Sequence, residues 1–317
     1  MQIRWRYIFI FLGLLISVIW LGIFSLPDDN LHLIACDVGQ GDAILVTYKN
    51  IQILTDGGPA NDKVITAFKK TPDLKSGDEL NADMSFSFRR NRGPKSAENV
   101  IGCLSKYMPF WDREIEMVIL THPQLDHFGG LIEVFRRFKV KNFIGEQVDA
   151  SSQEYQVLKS LVGGSGVKVI VPRTGMKIRY DLIYLDIVWP QEGLLSSELN
   201  DYSVVYILKY KDFEALLTGD IGPEISNEIA KVLALSDSRR VNYLKVPHHG
   251  SKNGLTKELL DAAMPEIAVI SVGKNNSYGH PHEEVLKLLS QEGTKILRTD
   301  LDGDIEVVSD GKSWWIR

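Results

Sequence analysis

The sequence predicts an α/β fold in which two β-sheets are covered by helices, placed behind one apolar N-terminal helix. Three observations predict it. Short runs rich in β-branched and aromatic residues recur from residue 31 onward, separated by turn residues. Segments of helical pattern lie between these runs in both halves of the chain, which suggests two sheets with helices packed on them. The first thirty residues are far more apolar than the rest.

At the N-terminus, Arg4 and Arg6 precede an uncharged run over 7–26 that Pro27-Asp28-Asp29-Asn30 ends. Such a run, about 20 residues long, suffices for a helix across the hydrocarbon core of a bilayer. Arginines before it and aspartates after it favour a cytoplasmic N-terminus, with the rest of the chain outside the membrane. A cleaved signal peptide is the alternative and would leave a secreted protein. Its apolar core would be shorter and followed by small residues, whereas Ile23, Phe24 and Leu26 crowd the end of this run. The expectation is an uncleaved anchor over 1–30 and one domain over 31–317.

Within that domain, 31–36, 43–48 and 51–55 read as strands, with Lys49-Asn50 turning the second into the third. Segments 116–121, 141–144, 168–171 and 182–188 continue the strand series, with a helix at 131–138. In the second half, 203–209 and 214–218 form a hairpin around Lys211-Asp212. Strands follow at 242–246, 266–271, 295–298, 305–308 and 313–316, and helices at 223–234, 256–263 and 282–291. Pro223 takes the first helical turn, where its missing N–H is harmless. The stretch 69–97 fits neither pattern. It carries Arg89, Arg90, Arg92 and Lys95 beside Phe86 and Phe88, and reads either as a solvated insertion or as an arm gripping a nucleic-acid strand, arginines on phosphates and phenylalanines under bases.

The chain has 317 residues, 44% hydrophobic and 24% charged, which excludes a disordered protein. A formal net charge of −5 excludes a generally basic, nucleic-acid-coating surface but not a local patch. Cys36 and Cys103 are too few for a disulfide framework or a four-cysteine zinc site.

The chemistry is concentrated in Thr121-His122-Pro123-Gln124-Leu125-Asp126-His127-Phe128-Gly129-Gly130. A strand delivers two imidazoles and a carboxylate to one turn, and these are ligands for zinc, manganese or iron. Asp56 before Gly57-Gly58, Asp220 after Leu216-Leu217-Thr218-Gly219, and His248-His249 after Val246-Pro247 repeat the design of an apolar strand ending in a polar residue. Such positions collect at one sheet edge. Gln40 and Asp42, in Gly39-Gln40-Gly41-Asp42, read as structural turn residues.

The segment His122–Gly130 resembles the signature loop of the metallo-β-lactamase superfamily. Asp37-Val38-Gly39-Gln40-Gly41-Asp42-Ala43, Asn200-Asp201-Tyr202-Ser203, Leu217-Thr218-Gly219-Asp220-Ile221, Val246-Pro247-His248-His249-Gly250-Ser251 and Tyr278-Gly279-His280-Pro281-His282 resemble, more narrowly, the extracellular hydrolase domain of ComEC competence proteins. The resemblance implies a four-layer αβ/βα sandwich and a centre of one or two divalent ions, Zn or Mn. On that pattern His122 serves a first ion, Asp126, His127 and His248 a second, and Asp220 bridges them. Asp56, His249, Ser203 and Gln124 are possible ligands or supports. Gln124 stands where the superfamily has a second histidine, and Asn200, Asp201 and Ser203 occupy the region of another, which weakens the first site.

By resemblance, the expected reaction is hydrolysis of a phosphodiester, single-stranded DNA above all, with a separate DNA-uptake channel as a possible partner. Asp126 or Asp220 would orient water and accept its proton, and His280 would serve the leaving oxygen or merely shape the site. Lys274 and Ser251, with Arg89 and Arg90 of the insertion, are candidate substrate contacts. Two other readings stay open: hydrolysis of another ester or a lactam, and binding of nucleic acid or a partner without cleavage.

Overall fold

The structure is a computed structural model that describes residues 5–24, 27–60, 100–145, 150, 152–235 and 240–317, with side chains of the first helix described over 5–17. The insertion at 69–97, with Arg89 and Arg90, lies outside the described residues.

The N-terminal run forms α1 (Trp5–Phe24). Its described side chains are almost all exposed, Trp5 and Phe9 among them. Among the described residues, no helix is long and apolar enough to cross a membrane. The backbone of α1 is nonetheless helical for 20 residues, about 30 Å at 1.5 Å per residue.

Two sheets follow. The first runs β15-β14-β1-β2-β3-β4-β5-β6 and the second β13-β12-β11-β10-β9-β8-β7. The first comprises β1 (Leu31–Ala35), β2 (Ile44–Tyr48), β3 (Ile51–Thr55), β4 (Glu114–Ile119), β5 (Lys139–Ile144), β6 (Lys168–Ile170), β14 (Ile305–Ser309) and β15 (Trp314–Ile316). The second comprises β7 (Lys177–Tyr180), β8 (Ile183–Trp189), β9 (Val205–Tyr210), β10 (Phe213–Leu217), β11 (Tyr243–Lys245), β12 (Ile267–Ile270) and β13 (Lys295–Arg298). Strand alternation divides the apolar residues between layers. Leu31, Leu33 and Ala35 of β1 face the second sheet, where they meet Tyr206, Leu208 and Tyr210 of β9. Ile34 faces outward, toward α2 (Val100–Tyr107), α4 (Leu131–Arg137) and α5 (Gln153–Gly164). Val205 and Ile207 face the opposite outer layer of α6 (Pro223–Leu235), α7 (Lys257–Ala263) and α8 (Glu283–Gln291). The four layers are therefore helix, sheet, sheet, helix.

The expected hairpins β2–β3 and β9–β10 are present. Helices α2 and α5 and strand β7 were not anticipated. Helix α5 ends in Gly163-Gly164, which reads as a loop, although Ser152 caps its start by accepting from Tyr155 N–H. Strand β7 is an edge strand with no fully buried residue, so it lacks a strong apolar signal.

Cys36, just after β1, is bonded to Cys103 on α2, with Cα atoms 5.9 Å apart. The two cysteines build one cross-link between sheet and outer helix.

Candidate metal centre

One half of each sheet is parallel: β3–β4–β5–β6 in one and β10–β11–β12–β13 in the other. Parallel strands present their carboxyl ends on one edge, where α/β proteins place sites. Asp56 follows β3, His122 follows β4, Asp220 follows β10 and His249 follows β11.

Backbone hydrogen bonds lock three loops together there. Asp42 N–H donates to the Asp126 carbonyl, Gly57 N–H to that of His127, Gly58 N–H to that of Asp42, and Gly130 N–H to that of Gly58. The approach is close enough to require glycine. A Cβ on Gly41 would lie 2.1 Å from the Asp126 carbonyl oxygen, and one on Gly130 would lie 2.0 Å from that of Gly57. The glycines beside the polar residues of the motifs thus let the loops meet.

The motif His122–Gly130 contains a short helix, α3 (Leu125–Phe128), before α4. His127 is fully buried and its Nδ1–H donates to Asp56 Oδ2 at 2.8 Å. Asp56 also accepts from Thr121 N–H and Thr121 Oγ1–H. Asp56 is therefore placed to fix the tautomer of His127. His127 Nε2 is left without a hydrogen-bond partner, 3.3 Å from Asp220 Oδ2 and 4.0 Å from Asp126 Oδ2.

The expected pairing of His248 with these ligands is corrected. Among the described residues, His249 joins the groups that could hold an ion and His248 does not. His248 and His249 both have left-handed backbones, at φ 51° and 53°. These two turns swing His249 inward, where it is buried. Its Nδ1–H donates to the Ser271 carbonyl, leaving Nε2 unpartnered, 3.2 Å from Asp220 Oδ2 and 3.5 Å from Asp126 Oδ2. Side-chain exposure is 0–2% for His127, His249 and Asp220 but 32% for Asp126, so Asp126 marks the mouth.

Electrostatics point to a cation. Burial opposes charge on His127, yet Asp220, Asp56 and Asp126 outweigh it and hold the imidazole well above its ordinary range. His249 is raised likewise by Asp220 and Asp42. Burial alone would raise Asp220; His249, Lys245 and His127 instead hold it well below the carboxylate range. Burial dominates at Asp56, which is raised. The four side chains Asp126, His127, His249 and Asp220 fit one divalent ion: the donor types suit it, and two buried imidazole nitrogens lack any other partner.

The residues for a first ion fit poorly. His122 is buried with Nε2 unpartnered, and burial, aided by His127, lowers it to about 3. But the Gln124 amide donates to Asn200 Oδ1. Ser203 Oγ accepts from Asp220 N–H, making it a brace rather than a ligand.

Ser251 is buried and its hydroxyl accepts from Asn253 N–H, closing a turn. His280 lies beside the centre, its ring 6.5 Å from that of His249. Burial, with His249 and His248, lowers it to about 4. At neutral pH it offers an N–H for hydrogen bonding rather than a mobile proton. Lys274 is exposed on the loop before His280.

Asp42, expected to be a structural turn residue, belongs to the centre, as does Lys245. Lys245 is 1% exposed, pairs with Asp42, and donates to Asp220 Oδ1 at 3.1 Å and to the Gly219 carbonyl at 2.8 Å. The available signal was a lysine inside the apolar run Tyr243-Leu244-Lys245-Val246.

The sequence profile of the Metallo-beta-lactamase superfamily matches residues 112–274. The chain is 29% identical over 194 residues to ComE operon protein 3 of Bacillus subtilis, covering 61% of this chain and 24% of that protein. It is 24% identical over 203 residues to Recombination protein 2 of Haemophilus influenzae, covering 63% of this chain and 23% of that protein. The chain thus spans about a quarter of the length of these relatives. Among solved structures, the metallo-beta-lactamase fold protein YhfI of Bacillus subtilis aligns with a TM-score of 0.54 at 9% identity, covering 88% of this chain and 100% of that one. Profile, fold and the ligand-bearing sheet edge agree, and the chain belongs to the metallo-β-lactamase superfamily.

Proposed function

We propose that this metal-dependent hydrolase is a phosphodiesterase that cleaves single-stranded DNA outside the cytoplasm, tethered to the membrane by α1. The carrying observation is the convergence of Asp126, His127, His249 and Asp220, with both Nε2 atoms free, at one sheet edge. Asp126, His127, His249 and Asp220 would hold a divalent ion, Zn or Mn, which when bound would supply a lowered water pKa and charge neutralisation for a phosphoryl oxygen. Asp126, the ligand open to solvent, turns Oδ2 toward the His127 and His249 Nε2 atoms, and its other carboxylate oxygen would orient the attacking water and take its proton. Asp56 and the Ser271 carbonyl keep His127 and His249 turned inward. His280 donates its N–H to the leaving oxygen.

DNA as substrate is supported by the competence relative, ComE operon protein 3, and by Tyr278. That ring is 66% exposed and stacks on His280 at 5.7 Å, offering a face to a nucleobase beside the centre. Placement outside the cytoplasm is supported by the Cys36–Cys103 disulfide, a bond of oxidising compartments. Tethering is supported by the length of α1 and by the arginines before it. A separate DNA-uptake channel is the proposed partner.

The test is cleavage of single- and double-stranded DNA by the full chain, in detergent, with Mn or Zn. Metal-dependent cleavage of the single strand, lost in His127→Ala, is expected. Cleavage that survives His127→Ala, or none with either metal, overturns the proposal.

A further inference from the structure

Lys245 is an unusual neighbour for a metal ligand, because its ammonium is itself a cation inside the cluster. Its three N–H donors meet three oxygens: Asp42 Oδ2, Asp220 Oδ1 and the Gly219 carbonyl. That satisfies an ammonium completely, so the side chain is held in place and does not reach substrate. The oxygens around it are a hard-cation environment, and Asp42, Asp220 and His249 form one of the groups that could hold an ion.

We propose that Lys245 is a built-in second cation, and that the centre is therefore constructed for a single divalent ion on Asp126, His127, His249 and Asp220. The inference rests on the reading of the site as a metal centre, but not on its substrate. Three observations carry it. Lys245 takes Oδ1 of Asp220, leaving Oδ2 directed at the His127 and His249 Nε2 atoms. His122 joins only His127 and Asp220 in a group that could hold an ion, both of them ligands of the single ion already, and Gln124 and Ser203 add nothing to it, being tied to Asn200 and to the Asp220 backbone. The charges also match. Asp42, Asp56, Asp126 and Asp220 surround the cluster, and the lysine and one divalent ion leave a single unmatched negative charge. A second divalent ion beside a buried ammonium would face repulsion in a low-dielectric site.

The role of Lys245 is positioning and charge compensation, and metal content reads it directly. Full-chain wild type, Lys245→Ala and Gln124→His are loaded with Mn(II), desalted, and measured for Mn per chain by elemental analysis and electron paramagnetic resonance. Wild type is expected to hold one ion with the spectrum of an isolated Mn(II). Lys245→Ala vacates a position lined by Asp42 and Asp220 and is expected to hold two. Gln124→His, a half-buried position that guards against misfolding of the lysine variant, adds a ligand but keeps the ammonium, and is expected to stay at one. Two tightly held ions in wild type overturn the proposal. So does a folded Lys245→Ala that stays at one, or a Gln124→His that rises to two, because ligand number would then set the count. Wild type that holds no ion sinks the metal reading together with this one. One ion without DNA cleavage leaves the stoichiometry standing and sinks only the proposed substrate.

Discussion

Replacing Cys36 and Cys103 together by alanine removes the one covalent tie between the first sheet and its outer helices. The bond closes a separation of 67 residues, and a loop of that length restricts the unfolded chain by an amount worth about 4 kcal/mol at 25 °C. Both cysteines are 1% exposed, so lost packing acts in the same direction. Domains are stable by about 5–15 kcal/mol in total, which makes this a large fraction. Urea unfolding of the oxidised wild type and the double variant, followed by circular dichroism, should show a loss of about 4 kcal/mol. The slope with urea should be larger in the variant, because its unfolded state is less restrained. In a thermal scan, the midpoint should fall by about 7 °C. A difference below about 1 kcal/mol, or two titratable thiols in folded protein from an oxidising compartment, would refute the reasoning.

Three further outcomes are expected. His249→Ala should abolish tight metal binding in calorimetry and Asp56→Ala should weaken it about 10–100-fold, while His248→Ala leaves affinity near wild type; equal losses at 248 and 249 would contradict the geometry. Chelated protein should be most stable near pH 6.5. His127 and His249 are raised above 6.5, so their contribution is full below that pH and fades as pH rises. His122 and His280, lowered to about 3 and 4, bind protons more readily when unfolded, so stability falls as the solution is acidified below 6.5. Metal displaces the protons of the first pair and should remove the alkaline decline; thermal midpoints with and without chelator check this. Tyr278→Ala should raise KM for a single-stranded oligonucleotide about tenfold, with Tyr278→Phe near wild type, because a base stack needs the ring and not the hydroxyl; an unchanged KM in the alanine variant would remove the stacking role.

What the sequence determined by itself is local. Strand alternation and turn residues located β1 to β3 and the β9–β10 hairpin, because side-chain period and turn chemistry are properties of consecutive residues. The motif His122–Gly130 announced a metal ligand loop, and Asp56 and Asp220 stood out as polar residues ending apolar strands. Tertiary structure decided the rest. Between adjacent His248 and His249, the choice depends on two left-handed backbone turns that composition does not encode. Asp42 reads as a turn residue until β11 brings Lys245 against it, and Gln124 reads as a ligand candidate until Asn200 takes its amide. The Cys36–Cys103 bond likewise needed α2, a helix that local pattern did not reveal. For Asp42, Gln124 and Cys36 the deciding partner is remote in the chain. An ionisable group acquires its role from the charges and hydrogen bonds that folding places around it, and burial strengthens those interactions only once the layers have closed.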